Sequence, residues 1–237
     1  MLAAGLKLDR PRSVLGRDSR VHIPGFLDPE AARRLHESLA TGTPWHRSLT
    51  AGGKSYDIAL ETLAELPVDR QAGMAQAMAA EARSGFQYQF DAWRLSDEVE
   101  AGRSQPGTLP LEDLYRWLNG ETFLGLVREL TGDVACAYVD AQATRYRAGD
   151  FLTAHDDDVA DKHRLYAYVL NLTADWRPDY GGLLVFHDAA GHLSGGYSPS
   201  FNALNLFSVP QAHAVTQVAS FVTAERLSVT GWIRSWR

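Results

Sequence analysis

From Val134 onward the chain changes texture, and that change limits the fold more than any other feature. Short runs of β-branched and aromatic residues alternate with turn signals at 134–146, 165–172, 182–187, 203–209, 213–222 and 226–234. Several short strands at roughly even spacing require a sheet that closes on or packs against itself, so a sandwich, barrel or jelly roll is expected. The preceding half reads differently. Val21 to Phe26 reads as a short apolar strand running into Asp28 and Pro29, an N-cap and first helical position that predict a helix over about 29–40. An Ala- and Met-rich stretch predicts another over about 69–84. In LPLEDLYRWLNGETFLGLVRELTGD the apolar residues fall at helical spacing, with Gly132 placed to cap the end. Residues 1–20 lack a periodic apolar face and are expected to be a loosely ordered leader. The organisation expected is that leader, a helical support region over 21–133 and a strand-rich core over 134–237, all in one domain.

Composition removes several classes of function. The chain of 237 residues carries 23 Lys and Arg against 29 Asp and Glu, a net charge of −6, with no basic cluster to follow a phosphate backbone. Nucleic acid is therefore not an expected ligand. The single cysteine, Cys136, forbids an internal disulfide and any multi-cysteine metal site. No stretch is apolar for long enough to span a bilayer, and the N-terminus lacks a signal-peptide core, so a cytoplasmic protein without membrane contact is expected. There is no G-x-S-x-G elbow, phosphate loop or dinucleotide fingerprint.

The chemistry concentrates in YRAGDFLTAHDDD, where His155 and Asp157 stand two residues apart. Alternate residues of a strand share a face, so both side chains can reach one point. His213, on a separate predicted strand, offers a third ligand, and two histidines with one carboxylate make the facial triad that suits iron(II) and leaves positions open. Thirteen residues further on, Arg226 lies on another strand directed to the same core. A guanidinium matches a carboxylate in a planar, bidentate pair. Ser228, on the same face, can add a hydrogen bond. Zinc hydrolysis is an alternative use of such a triad, as is a non-catalytic sensor module, but neither explains Arg226.

The order Tyr146, His155, Asp157, Gly181-Gly182, Asn205-Leu206-Phe207, His213, Arg226, Ser228, Gly231-Trp232 resembles the prolyl 4-hydroxylase branch of the iron(II)- and 2-oxoglutarate-dependent dioxygenases. FQYQFDAWRLSD and the helical segment after it are similar to the ribosomal-protein prolyl hydroxylase group. The resemblance implies an α+β fold: a double-stranded β-helix, or cupin-like jelly roll, braced by N-terminal helices. It implies iron(II) on His155, Asp157 and His213, with 2-oxoglutarate and dioxygen as co-substrates and ascorbate as a stimulant. Arg226 would pair with the far carboxylate of 2-oxoglutarate, with Tyr146, Asn171 and Ser228 beside it. Asn171 stands where relatives carry a tyrosine, and the His213–Arg226 interval is longer than is usual, so a bulge or longer turn must absorb the difference. The implied reaction is hydroxylation of a prolyl residue in a protein or peptide, with a free amino acid or other small metabolite as the alternative substrate. His187, Asp188 and His192 are read as rim residues, His163 and Arg164 as loop residues able to meet an acidic substrate, and Trp232 and Trp236 as packing. The segment 43–60 is a candidate lid. Sequence leaves oligomeric state open.

Overall fold

The computed structural model describes residues 1–103 and 106–236. In chain order the elements are α1 (Asp9–Asp18), β1 (Arg20–Pro24), α2 (Pro29–Glu37), β2 (His46–Ala51), β3 (Lys54–Ala59), α3 (Leu60–Glu65), α4 (Val68–Glu81), β4 (Tyr88–Trp93), α5 (Leu95–Glu100), α6 (Leu109–Leu118) and α7 (Glu121–Thr131). The strand-rich half follows: β5 (Tyr138–Val139), β6 (Gln142–Tyr146), β7 (Phe151–His155), β8 (Arg164–Asn171), β9 (Leu184–His187), β10 (Leu193–Tyr197), β11 (Ala203–Ser208), β12 (His213–Val215) and β13 (Arg226–Arg234). No helix among them is long and apolar enough to cross a membrane.

The strands form one antiparallel system in the order β1-β11-β8-β13-β6-β4-β7-β12-β9-β10, with β2 and β3 hung on β4, and β5 on β13. This near-closed sheet is a jelly roll, one of the three forms its strand pattern left open and the one the resemblance implied. Its two faces have separate tasks, set by the period of two along each strand. On β13, Leu227, Val229 and Ile233 face outward into the main apolar cluster, with Leu35 of α2, Leu114 and Leu118 of α6, and Phe123 and Val127 of α7. The alternate residues Arg226, Thr230 and Trp232 face an interior cavity. The helices thus cover the outside of one wall and leave its inside for chemistry.

Several expectations change. Residues 1–20 are not a loose leader: α1 packs on α7, Arg12 reaches Glu129 at 3.1 Å, Leu15 is buried, and Leu2 bridges to Leu27. The strand expected at 21–26 is β1, paired with β11, but the rest of 21–133 is not helical throughout, because β4 pairs with both β6 and β7. The helix expected from 29 ends at Glu37 and passes into a wider π turn over Ser38–Gly42. The long helix before Gly132 is two helices, interrupted where the Asn119 side chain donates to the Tyr115 and Val139 carbonyls and accepts from Val139 N–H. An asparagine that bonds nearby backbone competes with helix continuation. The segment 43–60 is mostly the β2–β3 hairpin, paired from His46↔Ala59 to Ala51↔Lys54.

One ionic node ties the N-terminal strands to the core. Asp91 of β4 is fully buried and lies directly opposite Arg47 of β2 and Arg145 of β6. Its carboxylate is 2.9 Å from Arg47, 2.8 Å from Arg145 and 3.0 Å from Arg147. Asp150 and Glu225 engage Arg47 and Arg145 in turn, so three guanidiniums meet three carboxylates. Removing one partner from such a group leaves buried charge without compensation. Asp91→Ala is therefore expected to lower unfolding free energy by about 3–5 kcal/mol, measured by urea denaturation.

Candidate metal centre

Strand register assembles the site. His213 of β12 pairs directly with His155 of β7, which sets their rings 4.1 Å apart between centroids. Asp157 is not on the strand with His155, contrary to the alternation argument. β7 ends at His155, and Asp157 adopts a left-handed conformation at φ 65. Aspartate tolerates that conformation better than most residues. The turn brings its carboxylate back over the histidines, 3.4 Å from His155 Nε2 and 3.5 Å from His213 Nε2. Arg164 holds the turn by donating to the Asp157 carbonyl at 3.0 Å.

The three donor atoms lie within 4.8 Å of one another. An ion with bonds of about 2.1 Å separates neighbouring ligands by about 3 Å, so this spacing fits a single metal. Tautomers fit as well. His155 Nδ1 is 3.0 Å from the Thr153 carbonyl and His213 Nδ1 is 2.8 Å from the Gln211 carbonyl. A carbonyl can only accept, so each Nδ1 carries the proton and each Nε2 presents a lone pair. Burial, reinforced by His155, pushes the His213 imidazole down to about 4, which keeps it neutral and able to ligate. Burial opposes ionisation of Asp157, but the two imidazoles beside it outweigh that, and the carboxyl is held below its ordinary range.

A cavity of about 80 Å³ is lined by the triad together with Arg226, Tyr146 and Trp232. Arg226 is buried at 2% exposure, and no carboxylate among the described residues lies within ion-pair distance of it. Its Nε has no acceptor. What it does have is the Tyr146 ring, 4.8 Å from its guanidinium carbon and directly opposite in the β13–β6 ladder. Burial lowers the guanidinium's pKa from its usual very high value, a mark of the strain of holding that charge without a counter-ion. The stem of Arg226 passes Gly182, where an added Cβ would sit 3.2 Å from Arg226 Cδ and 3.3 Å from both Trp176 and Val218. Gly182 also stands at φ +63, so glycine is demanded there twice.

Two expected co-substrate residues sit elsewhere. Asn171 is buried on β8, but its side-chain N–H groups reach the Val169 and Ala203 carbonyls at 3.5 and 3.4 Å, and it does not line the cavity. Ser228 is hydrogen-bonded to Thr144 at 2.8 Å and does not line it either. The long His213–Arg226 interval is absorbed by the loop 216–225, which buries Val218 and Val222 against Tyr146 and Phe90. His187, Asp188 and His192 belong to the β9–β10 turn, which Asp188 closes by accepting from Ala190 and His192 N–H.

Sequence reading missed other residues. Phe86, Tyr88 and Phe90 form an aromatic ladder: Phe86 lies 5.2 Å from the His155 ring, Tyr88 5.4 Å from Phe90, and Phe90 stacks on Tyr146 at 4.9 Å. The alternation in FQYQF was its signal. Trp232 is not simply packing, since it lines the cavity while Arg164 stacks on its ring at 3.5 Å. Outside, a cleft of about 470 Å³ opens over the triad between the ladder and Arg164.

Residues 141–234 match the 2OG-Fe(II) oxygenase superfamily. A mouse protein, prolyl 3-hydroxylase OGFOD1, is 34% identical over 145 residues, 58% of this chain. The chain spans 24% of that relative's length. The fold is shared with a 2OG-Fe(II) oxygenase-family oxidoreductase from Burkholderia pseudomallei (TM-score 0.62, 14% identity, 99% of this chain and 93% of the other). It is also shared with a prolyl hydroxylase from Trichoplax adhaerens solved with a hypoxia inducible factor peptide fragment (TM-score 0.59, 15% identity, 94% and 87%). A Pseudomonas putida prolyl-4-hydroxylase matches as well (TM-score 0.55, 18% identity, 97% and 92%).

Replacing one ligand leaves two donors and removes the closed geometry. Asp157→Ala and His213→Ala are each expected to lose at least about 100-fold in iron(II) affinity while keeping the fold, read by anaerobic metal titration beside circular dichroism.

Proposed function

We propose that this chain, whose residues 141–234 match the 2OG-Fe(II) oxygenase superfamily, is itself such an oxygenase and hydroxylates a prolyl residue of a protein or peptide substrate in the cytoplasm. The observation that carries the reading is a metal triad sharing one cavity with a buried arginine that has no carboxylate partner. Such an arginine fits a ligand that brings its own carboxylate, and 2-oxoglutarate carries one at each end. The mouse relative's name and the solved prolyl hydroxylases favour proline as the target.

His155, Asp157 and His213 would hold iron(II) through two Nε2 atoms and one carboxylate, leaving further positions free. Iron(II) with 2-oxoglutarate supplies the oxidising power, dioxygen being divided between the co-substrate, released as succinate and carbon dioxide, and the substrate C–H bond. Every other requirement falls to the protein. Arg226 receives the distal carboxylate and gains the counter-ion it lacks, so binding relieves a cost already present in the fold. Tyr146 stacks against that guanidinium, and burial raises its phenol, which keeps it a neutral hydrogen-bond donor. Phe90, Leu184 and Val215 make the remaining wall apolar and restrict water. Zinc-type hydrolysis is disfavoured because the inner cavity contains no carboxylate besides Asp157 to act as a general base.

Anaerobic addition of iron(II) and then 2-oxoglutarate is expected to produce a visible charge-transfer band. The band should be absent in His155→Ala. In Arg226→Ala it should require at least about 30-fold more 2-oxoglutarate, the lower end of the cost of losing one partner of a buried charge pair. A folded wild-type protein giving no band would refute the reading, and mass gain on free amino acids but not on peptides would refute its substrate.

A further inference from the structure

The opening over the metal does not end at the outer cleft. A second cleft of about 440 Å³ continues from it, and the two share Arg94, Gln142, Arg164 and Trp232 at their junction. None of the triad residues borders the second cleft. β3 follows both: Ser55 lines the first cleft and Asp57 the second, on the same face of the strand and about 7 Å apart. Asp57 is fixed there by its ion pair with Arg94 at 2.9 Å.

We propose that the second cleft is a substrate subsite for the polypeptide flank of the target residue, so that the substrate is an extended chain laid across both clefts. This rests on the hydroxylase reading above and deepens it. Each cleft is within the range of about 300–1,000 Å³ that houses a small molecule. A free amino acid would fill the first and leave the second without use.

The junction is the second argument. Its shared side chains include two guanidiniums, which only donate, an indole N–H and a carboxamide. Arg94 already donates to Asp57, Gln142 and Ser48, so Arg164, whose side chain is 15% exposed, is the guanidinium left to meet a passing chain. A polypeptide presents a carbonyl at every residue and so suits a row of donors, whereas a free amino acid brings a single carboxylate. Beyond the junction the wall offers surfaces for passing side chains. Tyr138 carries Arg234 over its ring at 5.7 Å and Trp236 beside it at 5.9 Å, and Trp236 is 71% exposed. Glu100 is anchored by the hydroxyls of Tyr115 and Tyr138, both at 2.6 Å.

The test uses the whole protein with iron(II), 2-oxoglutarate and a peptide library having a fixed central proline and randomised flanks, read by the mass of one added oxygen atom. Asp97→Trp and Lys162→Trp, both exposed on the rim of the second cleft, narrow it without touching the cavity around the metal. Wild type is expected to select residues on one flank. In the variants that selection should disappear and KM for the selected peptides rise about tenfold, with the iron–2-oxoglutarate band unchanged. Peptides trimmed of that flank should not distinguish variants from wild type. Hydroxylation indifferent to flank, or to both substitutions, would overturn the subsite while leaving the hydroxylase reading intact. No peptide hydroxylated although the band forms would overturn the protein-substrate reading, and the subsite with it.

Discussion

Arg226 is a cation sealed inside the protein with no carboxylate of the described residues within ion-pair distance, and much of the surrounding architecture exists to make that tolerable. An isolated buried charge is among the most expensive things a fold can contain. Three features reduce the cost here. The Tyr146 ring presents a π face 4.8 Å from the guanidinium carbon. Gly182 clears room for the stem, and the loop 216–225 lays Val218 against it. β13 is paired with β6 over 226–230, with β8 over 228–234 and with β5 at its end, so a shift that exposed the charge would have to break all three ladders. What is left unsatisfied is the guanidinium's need for a counter-ion, which is why the proposed ligand is one that brings a carboxylate.

The same ladder logic places the metal ligands. Registers pair Arg226 with Tyr146 and His213 with His155, so two cross-strand pairs on different parts of one curved sheet define two regions of one cavity. A slip of one residue in β12 would turn His213 away from the interior. Asp157 escapes this dependence because it lies beyond the end of β7, and its position comes from a left-handed turn held by Arg164. The triad therefore combines two ligands fixed by register with one fixed by a turn.

Which parts were legible in the sequence follows from the range of the interactions that set them. The jelly-roll half announced itself through short runs and turn signals, and β13 was expected over 226–234, where it lies. The residues of the metal cluster were readable because the chemistry of histidine and aspartate is local to each residue. Among the N-terminal strands β1 was readable, as the short apolar run 21–26, but β2, β3 and β4 were not. β4 is a strand because it finds partners in β2, β6 and β7, and FQYQFDAW carries the alternation of a strand but no sign of which strands it joins. Helix α1 has few apolar residues and is ordered by Leu15 and the Arg12–Glu129 contact, which depend on α7. Asn171 and Ser228, which the resemblance put beside the co-substrate, bond to neighbouring strands, and no sequence pattern reports how a hydroxyl or amide chooses among partners within reach.

The division between the two faces of β13 explains how so polar an interior can belong to a stable protein. Leu227, Val229 and Ile233 are each 3% exposed or less and join the cluster built from α2, α6 and α7. Each such side chain contributes about 1.5–3 kcal/mol on burial. Stability on that wall thus comes from the outer face, while Arg226, Thr230 and Trp232 on the inner face are free to be chosen for chemistry. The opposite wall has no such helical backing. There the aromatic ladder of Phe90 and Tyr146 with Val215, Val218 and Val222 forms a second, smaller core, and the Asp91 node fastens β4 to β2 and β6. The cleft opens along β4 and β3, where ion pairs and aromatic contacts, with α3 and α4 against the β2–β3 hairpin, hold the sheet in place of a large helical core. The open side and the densely packed side are therefore different sides of the same barrel.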